Sequence, residues 1–334
     1  MDSLSQLALG AAVGYVIGGK SLGKKACLLG GIAATLPDLD FIFTLFSEDN
    51  FSYLNTHRGF SHSLISVVTL PFLYTSLLRK VWTKGTYKTI WSIFSWAILT
   101  HLLLDCFTSW GTQVFWPLST RVAWNSVFII DPFYTFLLLI PLVIGLFKKN
   151  THQTKRWMLI GLTLSTLYLG WGVGVKCYLN PKFEALFKHH NLNIVSYTTR
   201  PTAFNSILWS TSAETETGYY IGYISLLDKT LQGPLFFIPK QHELNSTFDD
   251  PISKKILFFT KGFYSLEASK NGLWVHDLRY GTFGDAWLLE QPTFVFSYHL
   301  SKDKDGKTRV NTVNPKDRDM HLLMANLWLR LKGI

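Results

Sequence analysis

"WSIFSWAILTHLLLDCF", residues 91–107, is an apolar run of bilayer-spanning length that carries a histidine and an aspartate four positions apart. Spanning the hydrocarbon core takes about 20 mostly apolar residues, with a range of about 17–25. Ionisable side chains inside such a run are costly and by default mark function or a partnered interior position. On a helix, His101 and Asp105 share one face, about 6 Å apart along the axis. An imidazole and a carboxylate at that spacing can ligate one metal ion, or the acid can simply orient the ring.

The surrounding sequence predicts more spans. "VFIIDPFYTFLLLIPLVIGLF" (127–147) and "WMLIGLTLSTLYLGWGVGV" (157–175) have the length, and "SLISVVTLPFLYTSLL" (63–78) has it with a few flanking residues. Two weaker candidates precede them: the Gly- and Ala-rich "LSQLALGAAVGYVIGG" (4–19), and "ACLLGGIAATLPDLDFIFTLF" (26–46), broken by Pro37 and two aspartates. Small residues of this kind let helix backbones approach closely. Residues 1–175 hold only 7 of the 22 acidic residues. From about residue 180, β-branched and aromatic residues alternate with turn signals, and "DMHLLMANLWLRLKG" (319–333) predicts a closing helix. The expected fold is mainly α. A polytopic helical membrane bundle of about six spans (1–178) would be followed by a small β-rich α+β soluble domain (179–334).

The net charge of +10 on 334 residues raises nucleic acid as a partner. The basic residues, however, cluster in short loops between apolar runs (Arg79, Lys80, Lys84, Lys88; then Lys148, Lys149, Lys155, Arg156), as the positive-inside rule produces. No basic stripe or binding motif accompanies them, so no nucleic-acid partner is expected. With those loops in the cytoplasm, both termini and the 47–61 and 108–126 loops face outward. That predicts a multi-pass membrane protein with an extracytoplasmic C-terminal domain. Cys27, Cys106 and Cys177 build neither a disulfide framework nor a Cys-based zinc site. The N-terminus lacks the features of a cleaved secretory signal, so it is expected to stay attached.

Polar chemistry gathers in three further places. In "LPDLD" (36–40), a regular helix would turn Asp38 and Asp40 about 200° apart. Pro37 disfavours helical geometry at Leu36, and in an extended or unwound segment both carboxylates point the same way. Such a pair suits one or two hard or borderline divalent cations. "THRGFSHS" (56–63) supplies His57 and His62, with Ser61 or Ser63 as N-cap of the span that follows. Arg58 in the same stretch suits a phosphate or carboxylate, or an ordinary lipid headgroup contact. Asp131 in "IIDPF" is a further ligand or an acceptor behind the ligands. The topology puts His57, His62, His101, Asp105 and Asp131 at the outer end of the bundle, with Asp38 and Asp40 somewhat deeper on the same side.

"LPDLD", "HRGFSHS", "HLLLDCFTSWGTQVFWPL" and "IIDP", in that order over roughly residues 1–175, resemble the membrane-bound metal-dependent hydrolase family, inner-membrane hydrolases of bacteria described as LexA-regulated. The tail, with "RPTAFNSILW" and "GLWVHDLRYGTFGD", resembles the C-terminal extension of its longer members. The resemblance implies that Asp38, Asp40, His57, His62, His101 and Asp105 are the metal-site residues. A more distant similarity runs to zinc-dependent phospholipase C and nuclease folds.

The expected function is metal-dependent hydrolysis at the outer membrane–water interface. One or two divalent ions, zinc foremost with manganese or magnesium as alternatives, would lower the pKa of a bound water toward about 7. The target would be a phosphoester or lipid headgroup linkage, with membrane lipid as both environment and substrate. Asp105 or Asp131 would orient ligands or act as general base, and Arg58 would neutralise substrate charge. His276, Asp277 and Arg279 are candidates for headgroup selection or, more simply, strand-end residues. The rival is a transporter or ion-binding membrane protein, for which broken helices and intramembrane acids are equally expected. Against it stand the absence of matching halves in the sequence and a polar cluster at one end of the bundle. The sequence sets no oligomeric state.

Overall fold

Asp2 begins the first helix, α1 (Ser3–Leu22), as its N-cap, accepting from Ser5 N at 2.9 Å. Gly23, at φ 58°, closes it, and α2 (Lys25–Thr35) returns along its face. The two backbones nearly touch: a Cβ on Gly30 would stand 2.0 Å from the Gly10 carbonyl oxygen and 2.8 Å from Gly14 Cα. Only glycine permits that approach, so the small-residue runs are a packing surface.

The computed structural model describes residues 1–46, 57–230, 233–247, 249–282, 293–312 and 319–333. Its chain forms two units, Met1–Val173 and Gly174–Ile334. In the first, a 3₁₀ helix (Pro37–Phe46) continues from α2, and a short 3₁₀ turn (Phe60–His62) leads into α3 (Leu64–Arg79). Ser63 is the α3 N-cap, accepting from Ser66 N at 3.2 Å. Next come α4 (Tyr87–Cys106), α5 (Pro132–Phe147) and α6 (Thr151–His189), and the division between units falls inside α6. Ala12, Tyr15, Leu104, Tyr134, Leu138 and Met158 form the centre of the main core cluster in this unit.

The expectation of about six spans is overturned. Among the described residues, only α4 and α6 are long and apolar enough to cross a membrane, by length and composition. Helices α3 and α5 have 16 residues each, about 24 Å of rise against a hydrocarbon core of roughly 30 Å. Pro71 and Pro141 lie inside them. The 26–46 run divides at Pro37 into an 11-residue helix and a 3₁₀ segment, so neither piece spans. Helix α1 has the length, but its Ser, Gln and Gly content dilutes its hydropathy, and most of its residues are buried against neighbours. The apolar run at 26–46 overcounts a span because proline turns it into two short elements.

The second unit is α+β. Strands β1 (Ser196–Pro201), β2 (Leu208–Glu214), β3 (Gly218–Ser225) and β4 (Leu235–Pro239) form one antiparallel sheet in sequence order. After α7 (Pro251–Phe259), a second antiparallel sheet follows: β5 (Tyr264–Ser269), β6 (Gly272–Thr282), β7 (Phe294–Lys302) and β8 (Thr308–Thr312). Helix α8 (Met320–Leu331) closes the chain's described part. Ser212 Oγ donates to the Leu278 carbonyl at 2.7 Å, linking the sheets. Leu208, Tyr219, Ile221, Leu278 and Leu327 pack between sheets and helix. His276, Asp277 and Arg279 lie in the middle of β6 rather than at a strand end. Asp277 and Arg279 are spent on each other, at 3.0 and 2.6 Å.

Candidate metal centre

The site starts from a helix that stops. The last four carbonyls of an α-helix have no intrahelical partner, and α2 ends at Thr35, just before Pro37. The Ala34 carbonyl is therefore open, and His101 Nδ1 donates to it at 2.6 Å. A carbonyl can only accept, so the Nδ1 proton is fixed and a neutral His101 presents the Nε2 lone pair.

His62 is set the same way by a longer chain of bonds. Ser61 Oγ donates to Asp40 Oδ2 at 2.6 Å, which leaves its lone pairs facing His62 Nδ1 at 2.8 Å. Asp40 Oδ2 itself lies 3.5 Å from that nitrogen. The Nδ1 proton of His62 is held there, and its Nε2 lone pair points inward.

Both lone pairs meet two carboxylates. His62 Nε2 and His101 Nε2 are 3.0 Å apart. Asp38 Oδ1 is 3.2 Å from the first and 3.6 Å from the second. Asp105 Oδ2 is 3.5 Å from the first and 3.6 Å from the second. All four donor atoms lie within 4.8 Å of one another. Four electron-pair donors around one point, with both ring protons committed outward, could hold a cation between them. A tetrahedral ion with ligands at about 2.0–2.1 Å sets its ligand atoms about 3.3 Å apart, close to the separations here. A His/Asp cluster able to hold a metal ion is thus present.

Asp105 confirms the fit from another side. Its Oδ2 is buried and has no hydrogen-bond partner. Arg58 Nε stands 3.0 Å away as an ion pair but is not aligned to donate. Oδ1 is satisfied by Gln6 Nε2 at 3.1 Å and by the α-amino group of Met1. A buried carboxylate oxygen without a donor is what a cation would complete.

Electrostatics favour one positive charge at the centre. Burial opposes charge on His62, but its hydrogen bonds to Asp38 and Asp40 outweigh that and hold the ring above the ordinary imidazole range. Burial likewise opposes ionisation of Asp40, yet the bonds from His57 and His62 keep it below the usual carboxylate range. Metal and proton therefore compete for one place.

Of the six residues expected at the metal, Asp38, His62, His101 and Asp105 converge. Asp40 and His57 pair beside them, with His57 Nδ1 2.6 Å from Asp40 Oδ1. The 3₁₀ helix separates Asp38 from Asp40, and the two carboxylates take opposite nitrogens of His62. Asp131 lies outside the group. It is the N-cap of α5, accepting from Phe133 N and Tyr134 N at 3.0 and 3.2 Å, and Tyr168 donates to its Oδ2 at 2.8 Å. Arg58 is 3 % exposed and is engaged by Asp105 and, through Nη1, by Thr108 Oγ1 at 3.1 Å. Its backbone sits at φ 59°, held by its N–H on Asp40 and by Gln113 N on its carbonyl. The sequence reading missed the Ala34 carbonyl, the Ser61 bridge, Gln6 and Thr108. None carries a sequence signal, since each matters only through a contact distant in the chain.

The profile of the YdjM inner membrane protein family matches residues 1–176, which contain every residue of this centre. The chain belongs to that family. The inner membrane is its location at the same level of detail. Two relatives match part of the chain. The Bacillus subtilis protein YfhP is 27 % identical over 141 residues, 40 % of this chain and 42 % of its own. The Escherichia coli inner membrane protein YbcI is 30 % identical over 115 residues, 34 % of this chain and 64 % of its own. The chain thus spans less than two thirds of the length of either relative. No solved structure matches the chain.

Proposed function

We propose that this YdjM-family protein is a metal-dependent hydrolase whose centre is Asp38, His62, His101 and Asp105, acting on a phosphoester or lipid headgroup linkage. The observation that carries the reading is the inward pair of Nε2 lone pairs, set against a buried carboxylate oxygen that lacks a donor. The mixed imidazole and carboxylate donors suit zinc first, with manganese or magnesium as alternatives. A bound ion would supply Lewis acidity and make an attacking water available near neutral pH.

The chain's own residues do the rest. The side chains of His62, His101 and Asp105 are fully buried, whereas that of Asp38 is 26 % exposed. A catalytic centre keeps one coordination position open; Asp38, the exposed member of the four, is the ligand that would give way to water or substrate, and it marks the side from which a substrate approaches. Ala34 and the Ser61–Asp40 pair hold the imidazole protons outward. Arg58 offsets the charge of Asp105. Exposed Leu39, Phe60, Leu64 and Trp116 lie in or next to the segments that carry the site residues, which suits an amphiphilic substrate at a membrane surface. Membrane insertion with the centre outside the cytoplasm belongs to the same proposal.

The rival, an ion-binding or transport protein with a structural metal, draws on the same four donors. Metal analysis of the purified protein, paired with phosphodiesterase and headgroup-release assays on wild type and His101→Ala, separates the two. Metal-dependent cleavage lost in His101→Ala supports the hydrolase. Full metal occupancy without cleavage supports the rival.

A further inference from the structure

A second site lies away from the metal centre, where α5 passes into α6. Lys148, Gln153, Arg156, Trp157 and Ile160 line a cavity of ≈ 370 Å³. The helices meet closely beneath it: a Cβ on Gly145 would stand 3.1 Å from Trp157 Cβ and 2.9 Å from Met158 Cε. The lining combines two chemistries: a guanidinium, an ammonium and an amide, with an indole and an isoleucine.

The charge there is one-sided. From Pro132 to Phe183 the sequence has no Asp or Glu, while Lys148, Lys149, Lys155 and Arg156 fall within nine residues. Lys148 and Arg156 make no ion pair among the described residues. The two helices that supply the cavity also carry exposed apolar residues, Ile140, Val143 and Phe147 on α5 and Leu159, Leu164 and Leu167 on α6. In an inner membrane protein, the start of the longest apolar helix lies at the headgroup level, where a tryptophan belongs.

We infer that this cavity binds the headgroup of an acidic phospholipid, with Lys148 and Arg156 on the phosphate and Trp157 and Ile160 along the start of an acyl chain. The phosphate contact alone would also suit free phosphate. The exposed apolar residues of the two helices favour the lipid, since a soluble anion gains nothing from them, and basic pockets beside membrane helices recognise acidic headgroups.

The test uses the full chain in a neutral detergent, with retained lipid counted by native mass spectrometry and melting followed in parallel. Phosphatidylglycerol, phosphatidylcholine with matched chains and inorganic phosphate are each titrated. Phosphatidylglycerol is expected to bind at least tenfold more tightly than phosphatidylcholine. The Lys148→Gln, Arg156→Gln double variant should lose that preference, and Trp157→Ala should weaken both lipids. Both cations lie at the surface, and melting reports whether the variant is folded. A control double variant, Lys80→Gln with Lys84→Gln, changes net charge equally outside the cavity and should keep the preference. Equal binding of both lipids, equal loss in the control pair, or displacement of the lipid by inorganic phosphate at comparable concentration would overturn the assignment. None of these outcomes depends on the metal centre.

Discussion

His62 Nε2 and His101 Nε2 face each other at 3.0 Å, each ring having its other nitrogen committed to a partner outside the centre. Two lone pairs at that distance repel unless a proton or metal lies between them. The arrangement is held by residues that never touch the ion, and this makes the tautomers testable apart from the ligands.

Ser61→Ala removes the hydroxyl between Asp40 and His62 Nδ1 but leaves all four donors in place. Groups that orient metal-ligating histidines contribute about 10–100-fold in affinity. Metal affinity, measured by competition with a chromophoric chelator, is expected to fall within that range while saturating occupancy is unchanged. An unchanged affinity would show that Asp40, 3.5 Å from the same nitrogen, orients the ring without the serine.

Arg58→Met replaces a buried guanidinium that stands 3.0 Å from Asp105. Removing one partner of a buried ion pair costs about 3–5 kcal/mol because the other charge stays behind. The metal-free variant should be destabilised by roughly that amount in denaturant titrations. Added divalent metal should recover much of the loss, since it supplies the missing positive charge. A variant as stable without metal as the wild type would remove Arg58 from its assigned role.

The C-terminal unit supplies a pH prediction. Burial pushes the His276 imidazole below its ordinary value, against the pull of Glu267 Oε2 at 3.1 Å. The unfolded chain, with an imidazole pKa of about 6.5, therefore takes up the proton first. The contribution of neutral His276 is fully present above about 6.5 and is lost as pH falls through the depressed folded value. Hydrogen exchange of β6 amides should accelerate as pH falls below about 6.5 in the wild type, once intrinsic rates are removed. That added dependence should vanish in His276→Phe.

The site was more legible in the sequence than the membrane architecture, and for a physical reason. Costly ionisable residues in apolar surroundings announce themselves wherever the chain runs, so Asp38, His62, His101 and Asp105 stood out. Spans depend on helix length, and the runs at 63–78 and 127–147 form helices of only 16 residues. The helix break at Pro37 made Asp38 and Asp40 look like a pair on one ion. In the 3₁₀ helix they diverge, one toward the metal centre and one behind His62. The Ala34 carbonyl was invisible because its value comes from His101, 67 positions away.

The glycine contact between α1 and α2 reaches this site through that same carbonyl. A Cβ on Gly30 would collide with backbone atoms, 2.0 Å from Gly10 O and 2.8 Å from Gly14 Cα, so the two helices must separate. Overpacking of this kind costs about 1–3 kcal/mol. Ala34 lies one turn further along α2, so the shift also moves the acceptor that fixes His101. Gly30→Ala is therefore expected to lower both melting temperature and metal affinity, although it lies outside the donor set. Gly31→Ala is the graded comparison, because its Cβ would meet Leu7 O only at 3.3 Å. Gly170→Ala is the neutral one: nothing lies within 4 Å of its Cβ, and alanine favours the helix by up to about 1 kcal/mol. If Gly30→Ala lowers stability but leaves metal affinity at the wild-type value, the end of α2 is not what positions His101.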